Sequence, residues 1–381
     1  MTASPSPKDP LDMSPSAFHS LYVHIPFCEA KCDYCAFYSI PDSSHELRQK
    51  YLLRLEEEFS LNSSHTRPLR SIFLGGGTPS SLSIAELTRL FELIRIYFTL
   101  LPDCEFSMEA NPNSLTAEKL QTATEFGVNR ISLGIQSFNP KIRKVLGRKG
   151  TLENLQNIHQ LIKQNAKLQL NLDLIFNVPG QTLQEWEEDL KHACNMTPDH
   201  LSAYSLIFEE DTPLTQRITT TADDEEFCTF WKNTDQILNA HGLFRYEISN
   251  FAKPEKFCRH NFEIWHGQTC LGCGPVAVSF NGINRPANPH TLEDWLNHAP
   301  QIDDILPPEK RAAEILAFGL RTTAGWNCKE FEALTGFSPW LLKGDELHQL
   351  HQLEMLEMDQ ENIRPTEKGL LLNDDILEAL I

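Results

Sequence analysis

Cys28, Cys32 and Cys35 stand at C-x3-C-x2-C spacing behind the short apolar run LYVHI. Three soft ligands in so short a stretch can hold a metal. A closed structural zinc site wants four protein ligands, so three suit an iron-sulfur cluster that leaves one iron open to a substrate or cofactor. Zinc completed by His24, and thiols buried as small hydrophobes, are the alternatives that spacing leaves open. Phe27, Tyr34 and Phe37 flank the thiols and could screen a cluster from water, which tunes its potential.

A second chemical stretch is LGGGTPS, with Gly75, Gly76, Gly77 and Thr78. No Lys follows the glycines, which excludes a nucleotide P-loop. Consecutive glycines let backbone amides and carbonyls approach a ligand closely; a tight turn between strand and helix is the plainer reading. Glu109, Gln136, Arg148 and Asp173 are each ordinary as single polar residues. Together they describe an amino-acid nucleoside: a carboxylate for an ammonium, an Arg for a carboxylate, and an Asp or Gln for ribose hydroxyls.

The elements that must position these groups follow a rhythm. Apolar or β-branched runs at 21–25, 71–76, 105–110, 130–136, 168–176 and 200–208 read as buried parallel strands. Helical patterns fill the gaps, with Ile84, Leu87, Leu90, Phe91 and Ile94 on one face and Leu152, Leu155, Ile158 and Ile162 on another. Segments 46–61, 116–126 and 182–195 supply the remaining helices. The fold class is α/β. Because Cys28, Thr78, Glu109, Gln136 and Asp173 fall at or near the ends of successive strands, a barrel mouth collects them better than a doubly wound sheet would. The expected architecture is a partial (β/α)6 barrel over 21–210, preceded by a disordered Pro- and Ser-rich tail at 1–20. A core extension of turns and short strands follows at 211–306, then a small winged-helix-like domain at 307–381.

The formal charge of -19 argues against a general nucleic-acid binder, because such affinity rests on Lys and Arg neutralising phosphates. The same argument sets DNA aside for the predominantly acidic segment 341–381. The N-terminus carries no secretory pattern, so the ten cysteines are read as belonging to a reducing cytoplasm, where clustered thiols bind metals or catalyse. No apolar run reaches the roughly 18 residues that span a bilayer, leaving at most peripheral membrane contact.

In these motifs the chain resembles the radical S-adenosylmethionine (SAM) superfamily. Within it the chain is similar to the branch of oxygen-independent coproporphyrinogen III oxidase and its haem-chaperone relatives of HemW type. YVHIPFC, GGGTPS, the E-x-N-P at Glu109, SLGIQSF, LDLIF-x-VPGQT and the C-terminal TEKG carry the resemblance over roughly residues 20 to 375. It implies a 4Fe-4S cluster on Cys28, Cys32 and Cys35, with the amino and carboxylate groups of SAM on the fourth iron. One-electron reduction would then cleave SAM to methionine and a 5'-deoxyadenosyl radical. Tyr22, Tyr34, Gly76, Gly77, Thr78, Glu109, Gln136, Arg148 and Asp173 fall on the family's SAM-contacting positions, and Ile207 on a further one.

The branch is decided at position 37. The oxidase pattern is C-x3-C-x2-C-x-C, and this chain has Phe37 where the last Cys would be; only 27 residues precede Cys28, against a longer extension in the oxidase. Both features match the chaperone group, whose H-N-x-x-Y-W motif is represented by HNFEIW, with His260, Asn261 and Trp265, and Ile264 in place of Tyr. VAVS at 276–279 stands where the group has G-A-H-S. The resemblance therefore implies a haem chaperone that binds the cluster, SAM and haem and delivers haem to respiratory apoproteins, with His260 as the candidate haem ligand. A homodimer fits the family. The alternative is the oxidase itself, decarboxylating coproporphyrinogen III. SAM cleavage is left open. Cys258 with His260, and Cys270 with Cys273, have spacings that could hold a second metal, whereas the family uses that stretch for small-residue packing. Cys104, Cys194, Cys228 and Cys328 read as structural.

Overall fold

Each of the six expected β segments is a strand, and all six lie side by side in one sheet. In this computed structural model the described residues are 17–41, 43–218 and 224–381. The strands in chain order are β1 (Phe18–Ile25), β2 (Phe27–Cys28), β3 (Ile40–Pro41), β4 (Thr66–Gly76), β5 (Leu100–Ala110), β6 (Arg130–Gln136), β7 (Gln169–Phe176), β8 (His200–Ser205), β9 (Phe244–Arg245), β10 (Asn250–Ala252) and β11 (Cys270–Cys273). Nine of them form an open sheet in the order β11-β1-β4-β5-β6-β7-β8-β10-β9. Strands β11 to β8 in that order run parallel, and β10 and β9 continue antiparallel. The partial barrel is thus present, with two additions from the 211–306 region, one at each edge.

Strand β11 is the parallel partner that sequence reading passed over. CLGC is only four residues long and carries no periodic signal, yet all four are buried against β1. Strand β1 itself begins at Phe18, inside the segment expected as tail. Residues 1–16 of that tail lie outside the described residues.

The two faces of the sheet differ in chemistry. In β6, β7 and β8 apolar residues alternate with polar ones, as a period of two requires. Ile131, Leu133, Leu170, Leu172, Leu174 and Leu201 share one core with Leu87, Leu90, Phe91, Ile94, Trp186 and Leu190 of the covering helices. Burying each such side chain contributes roughly 1.5–3 kcal/mol. The other face presents Arg130, Ser132, Gln136, Asn171, Asp173, His200 and Ser202 to a cavity.

Helix starts are written locally. Ser83 and Thr182 form capping boxes with Glu86 and Glu185, opening helices Ile84–Tyr97 and Leu183–Asn195, and each cap stabilises by about 1 kcal/mol. Ile84 does not join the buried face expected for it. As the first helical residue it is 40% exposed. Leu152 precedes its helix, which spans Leu155–Gln164, and packs on the core from outside it. In 307–381, helices Pro308–Gly319, Cys328–Thr335, Pro339–Gln352 and Asn373–Leu380 enclose a second core, with β12 (Trp326–Asn327), β13 (Leu356–Met358) and β14 (Asn362–Pro365) in a small antiparallel sheet. Among the described residues no helix is long and apolar enough to cross a membrane.

Candidate functional site

The thiol loop is pinned at both ends. Strands β2 and β3 pair across it, so Cys28 leaves the sheet beside Pro41, and Ile40 N–H donates to Pro26 O at 2.6 Å. The glycine stretch clamps onto the same place: Gly77 N–H donates to Ile25 O at 2.8 Å and Thr78 N–H to Phe27 O at 2.7 Å. A Cβ at Gly77 would lie 2.7 Å from Phe27 O, so glycine is needed there for close approach. Thr78 Oγ1 is 3.5 Å from Cys28 Sγ. Arg148 donates from Nη1 to Cys32 Sγ at 3.3 Å and from Nη2 to Gly134 O at 2.6 Å.

All three thiols line a cavity of about 510 Å³, together with Tyr34, Gly76, Gly77, Thr78, Glu109, Gln136, Arg148 and Asp173. Eleven of the thirteen expected site residues are therefore brought together. Tyr22 and His260 are not. Tyr22 lies behind the cavity wall, stacked on Phe73, with its hydroxyl 3.1 Å from His24 Nδ1. His260 is buried, its Nδ1 2.9 Å from Ser71 Oγ and its ring stacked on Phe73 at 5.3 Å; burial pushes its pKa down to about 3, so the ring is neutral.

The state of His24 weighs against a zinc ion completed by that ring. Among the described residues no three Cys, His, Asp or Glu side chains are gathered round one metal position. His24, the proposed fourth zinc ligand, is engaged on both nitrogens, by the Tyr22 hydroxyl and by Tyr38 O at 3.0 Å. Burial pushes the Cys28 and Cys35 thiols up from their ordinary values.

The wall opposite the thiols fits a polar ligand. Gln136 has φ 65° at the break in register between β6 and β7, a left-handed conformation that costs a non-glycine residue about 1–3 kcal/mol and marks functional positions. Its buried Oε1 has no partner. Asp173 receives Ser132 Oγ at 2.6 Å and Asn171 Nδ2 at 2.8 Å, while burial raises its pKa. Glu109 is raised to about 8, by burial first and by the charge of Asp173 second, with a backbone bond from Gly76 opposing.

Sequence reading missed the deeper end of this cavity, where Arg130, Asn171, His200 and Asn250 meet Asn261 of the HNFEIW motif. His200, held neutral by burial, bridges Asn171 Oδ1 at 2.6 Å and the Tyr246 hydroxyl at 2.8 Å. The polar-apolar alternation of RISLGIQ, QLNLDLIF and HLSAYS was the available signal. Below it the HNFEIW helix, Arg259–Trp265, closes the floor, its first N–H groups donating to Glu105. Cys270 and Cys273 are packed within β11, as the family stretch implies.

Residues 22–193 match the Radical SAM superfamily, and residues 306–372 the HemN C-terminal domain. Heme chaperone HemW of Bacillus subtilis is 31% identical over 95% of this chain and 99% of its own length. Heme chaperone HemW of Haemophilus influenzae is 30% identical over 95% and 97%. The chain belongs to the radical SAM superfamily, within its HemW group. A mitochondrial radical S-adenosyl methionine domain-containing protein 1 from Danio rerio is 29% identical over 95% of this chain and 86% of that one. The solved coproporphyrinogen III oxidase (HemN) of Escherichia coli shares the fold, with TM-score 0.85 at 23% identity over 97% of this chain and 91% of that one. Superfamily membership implies a 4Fe-4S cluster and SAM.

One residue of the thiol loop, Asp33, ties it to two neighbouring segments. Its N–H donates to Leu146 O at 3.1 Å, its carbonyl accepts Leu214 N–H at 2.9 Å, and its carboxylate pairs with Arg217. Gly147, at φ 62°, leaves room for that carboxylate. Asp33→Asn and Arg217→Gln should each speed iron loss to a ferrous chelator by on the order of tenfold, the scale of outer-shell effects on metal sites. Unchanged decay of the cluster absorbance would make the tie incidental.

Proposed function

We propose that this chain is a haem chaperone: it carries a 4Fe-4S cluster and SAM in the sheet cavity, takes up haem and hands it to respiratory apoproteins in the cytoplasm or at the membrane face. The observation that carries this reading is the near-full-length similarity to several proteins named heme chaperone HemW. Phe37, in place of the thiol of the oxidase pattern, supports it.

In this reading Cys28, Cys32 and Cys35 would hold the cluster. When bound, the cluster and SAM together supply one-electron chemistry at the sulfonium. The protein's own part is placement. Glu109 would accept the N–H groups of the SAM amino group, Arg148 would balance its carboxylate beside the Cys32 sulfur, and Gln136 and Asp173 would take the ribose hydroxyls. Gly76, Gly77 and Thr78 would offer backbone to the ligand, and Tyr34 would cover the cluster side. The inner ring of Ser132, Asn171 and His200 fixes Asp173 so that it need not reorganise on binding. His260 is not carried into the proposal, because its ring is engaged in the sheet away from the cavity.

The test uses anaerobically reconstituted protein loaded with hemin and mixed with an apo-cytochrome. Transfer of the Soret band to the acceptor is expected. Absence of transfer overturns the reading, and protoporphyrinogen formation from coproporphyrinogen III with SAM and reductant would replace it with the oxidase.

A further inference from the structure

Two of the most exposed large apolar side chains of the molecule stand on the rim of one cavity. Phe37, from the thiol loop, and Ile207, just beyond β8, are each 70% exposed, and Tyr204 beside Ile207 is 41% exposed. A lone exposed apolar residue needs no explanation. Here the residues converge from separate segments on a common opening, where one flat apolar ligand could cover both. Lys31 and Lys149 stand on the same rim, and among the described residues neither has an ion-pair partner. Glu29 and Glu209 stand on the rim as well, so its formal charges balance on a chain whose net charge is -19.

We infer that this rim seats a metalloporphyrin, its flat apolar face against Phe37 and Ile207 and its carboxylates toward Lys31 and Lys149. The chemistry that fits is an apolar plate with acidic groups at its edge: a small polar ligand would leave the two hydrophobes uncovered, and a neutral lipid would leave the lysines unanswered. The seat lies over the thiol loop, whereas the His260 ring is shut behind the cavity wall. This inference rests on the haem-handling reading and adds where the haem sits.

Hemin titration into the reconstituted chain, followed by the Soret band, tests it. Phe37→Ser and Ile207→Ser should each weaken binding by about tenfold, and Phe37→Tyr should preserve it. Lys31→Gln combined with Lys149→Gln should weaken hemin binding while leaving its dimethyl ester unaffected, because the ester lacks the carboxylates. All four side chains are on the surface, so iron content of the variants should match the parent and report intact folding. If the parent binds hemin and both serine variants stay within about twofold of it, the seat is elsewhere and the inference falls while the reading stands. If the parent takes up no hemin, the reading itself falls.

Discussion

Serine at any one of positions 28, 32 and 35 should leave the protein nearly without iron and acid-labile sulfide after anaerobic reconstitution. The three thiols come from one loop held by β2 and β3, and they line one cavity. A 4Fe-4S cluster offers a separate iron to each thiolate, so no thiol can substitute for another. The other cysteines cannot stand in. Cys104, Cys194, Cys270, Cys273 and Cys328 are buried and do not line the cavity, and Cys258, at its floor, points its Sγ to Glu105 at 3.5 Å. Cys194→Ala and Cys228→Ala should therefore keep their iron in full. Phe37→Cys should also keep it, since position 37 faces outward from the loop at the rim. Iron retained in a Cys32→Ser variant would place the cluster somewhere other than this loop.

What could be read in advance was whatever chemistry and periodicity write locally. Parallel strands covered on both faces appear as apolar runs, as LYVHI does, and RISLGIQ and LQLNLDLIF announced themselves by β-branched and apolar residues at every second position. The thiols and glycines were legible because their meaning lies in spacing along the chain. Three things were not. The pairing of β11 with β1 joins residues about 250 apart through a four-residue strand, and no short pattern encodes such a partner. The direction in which His260 points depends on which face of a seven-residue helix meets the sheet, and that is settled by Glu105 holding its N-terminus and Phe73 stacking on its ring. The left-handed turn at Gln136 arises from a register break between two strands, so it too needs both partners. The polar floor was a different failure. Its alternation is present in the sequence, but a strand's pattern alone does not say that its polar face surrounds a cavity rather than packing against another layer.

In the protein without its cluster, SAM affinity should rise with pH up to about 8, where the ammonium of SAM itself begins to titrate, and the rise should vanish in Glu109→Gln. Burial and the neighbouring Asp173 raise Glu109 to about 8, so in the ligand-free protein at pH 7 its carboxyl is protonated. An ammonium placed against it favours the anion, and binding must then release the proton. Below the raised value each pH unit adds about 1.4 kcal/mol to the cost of that release, or about tenfold in affinity. Calorimetry in buffers of different ionisation heats would read the released proton directly at pH 7, and release of no net proton would remove Glu109 from the ammonium role. Stability gives an independent sign. A carboxyl whose folded value lies above its unfolded value near 4.5 favours the folded state at low pH, and that contribution is lost as pH rises from about 4.5 to about 8. Glu109→Gln keeps the shape and a neutral group, so without SAM the variant should melt higher than the parent at pH 9 and close to it at pH 5. Parent and variant melting alike at both pH values would mean that the Glu109 carboxylate is not held against an energetic penalty.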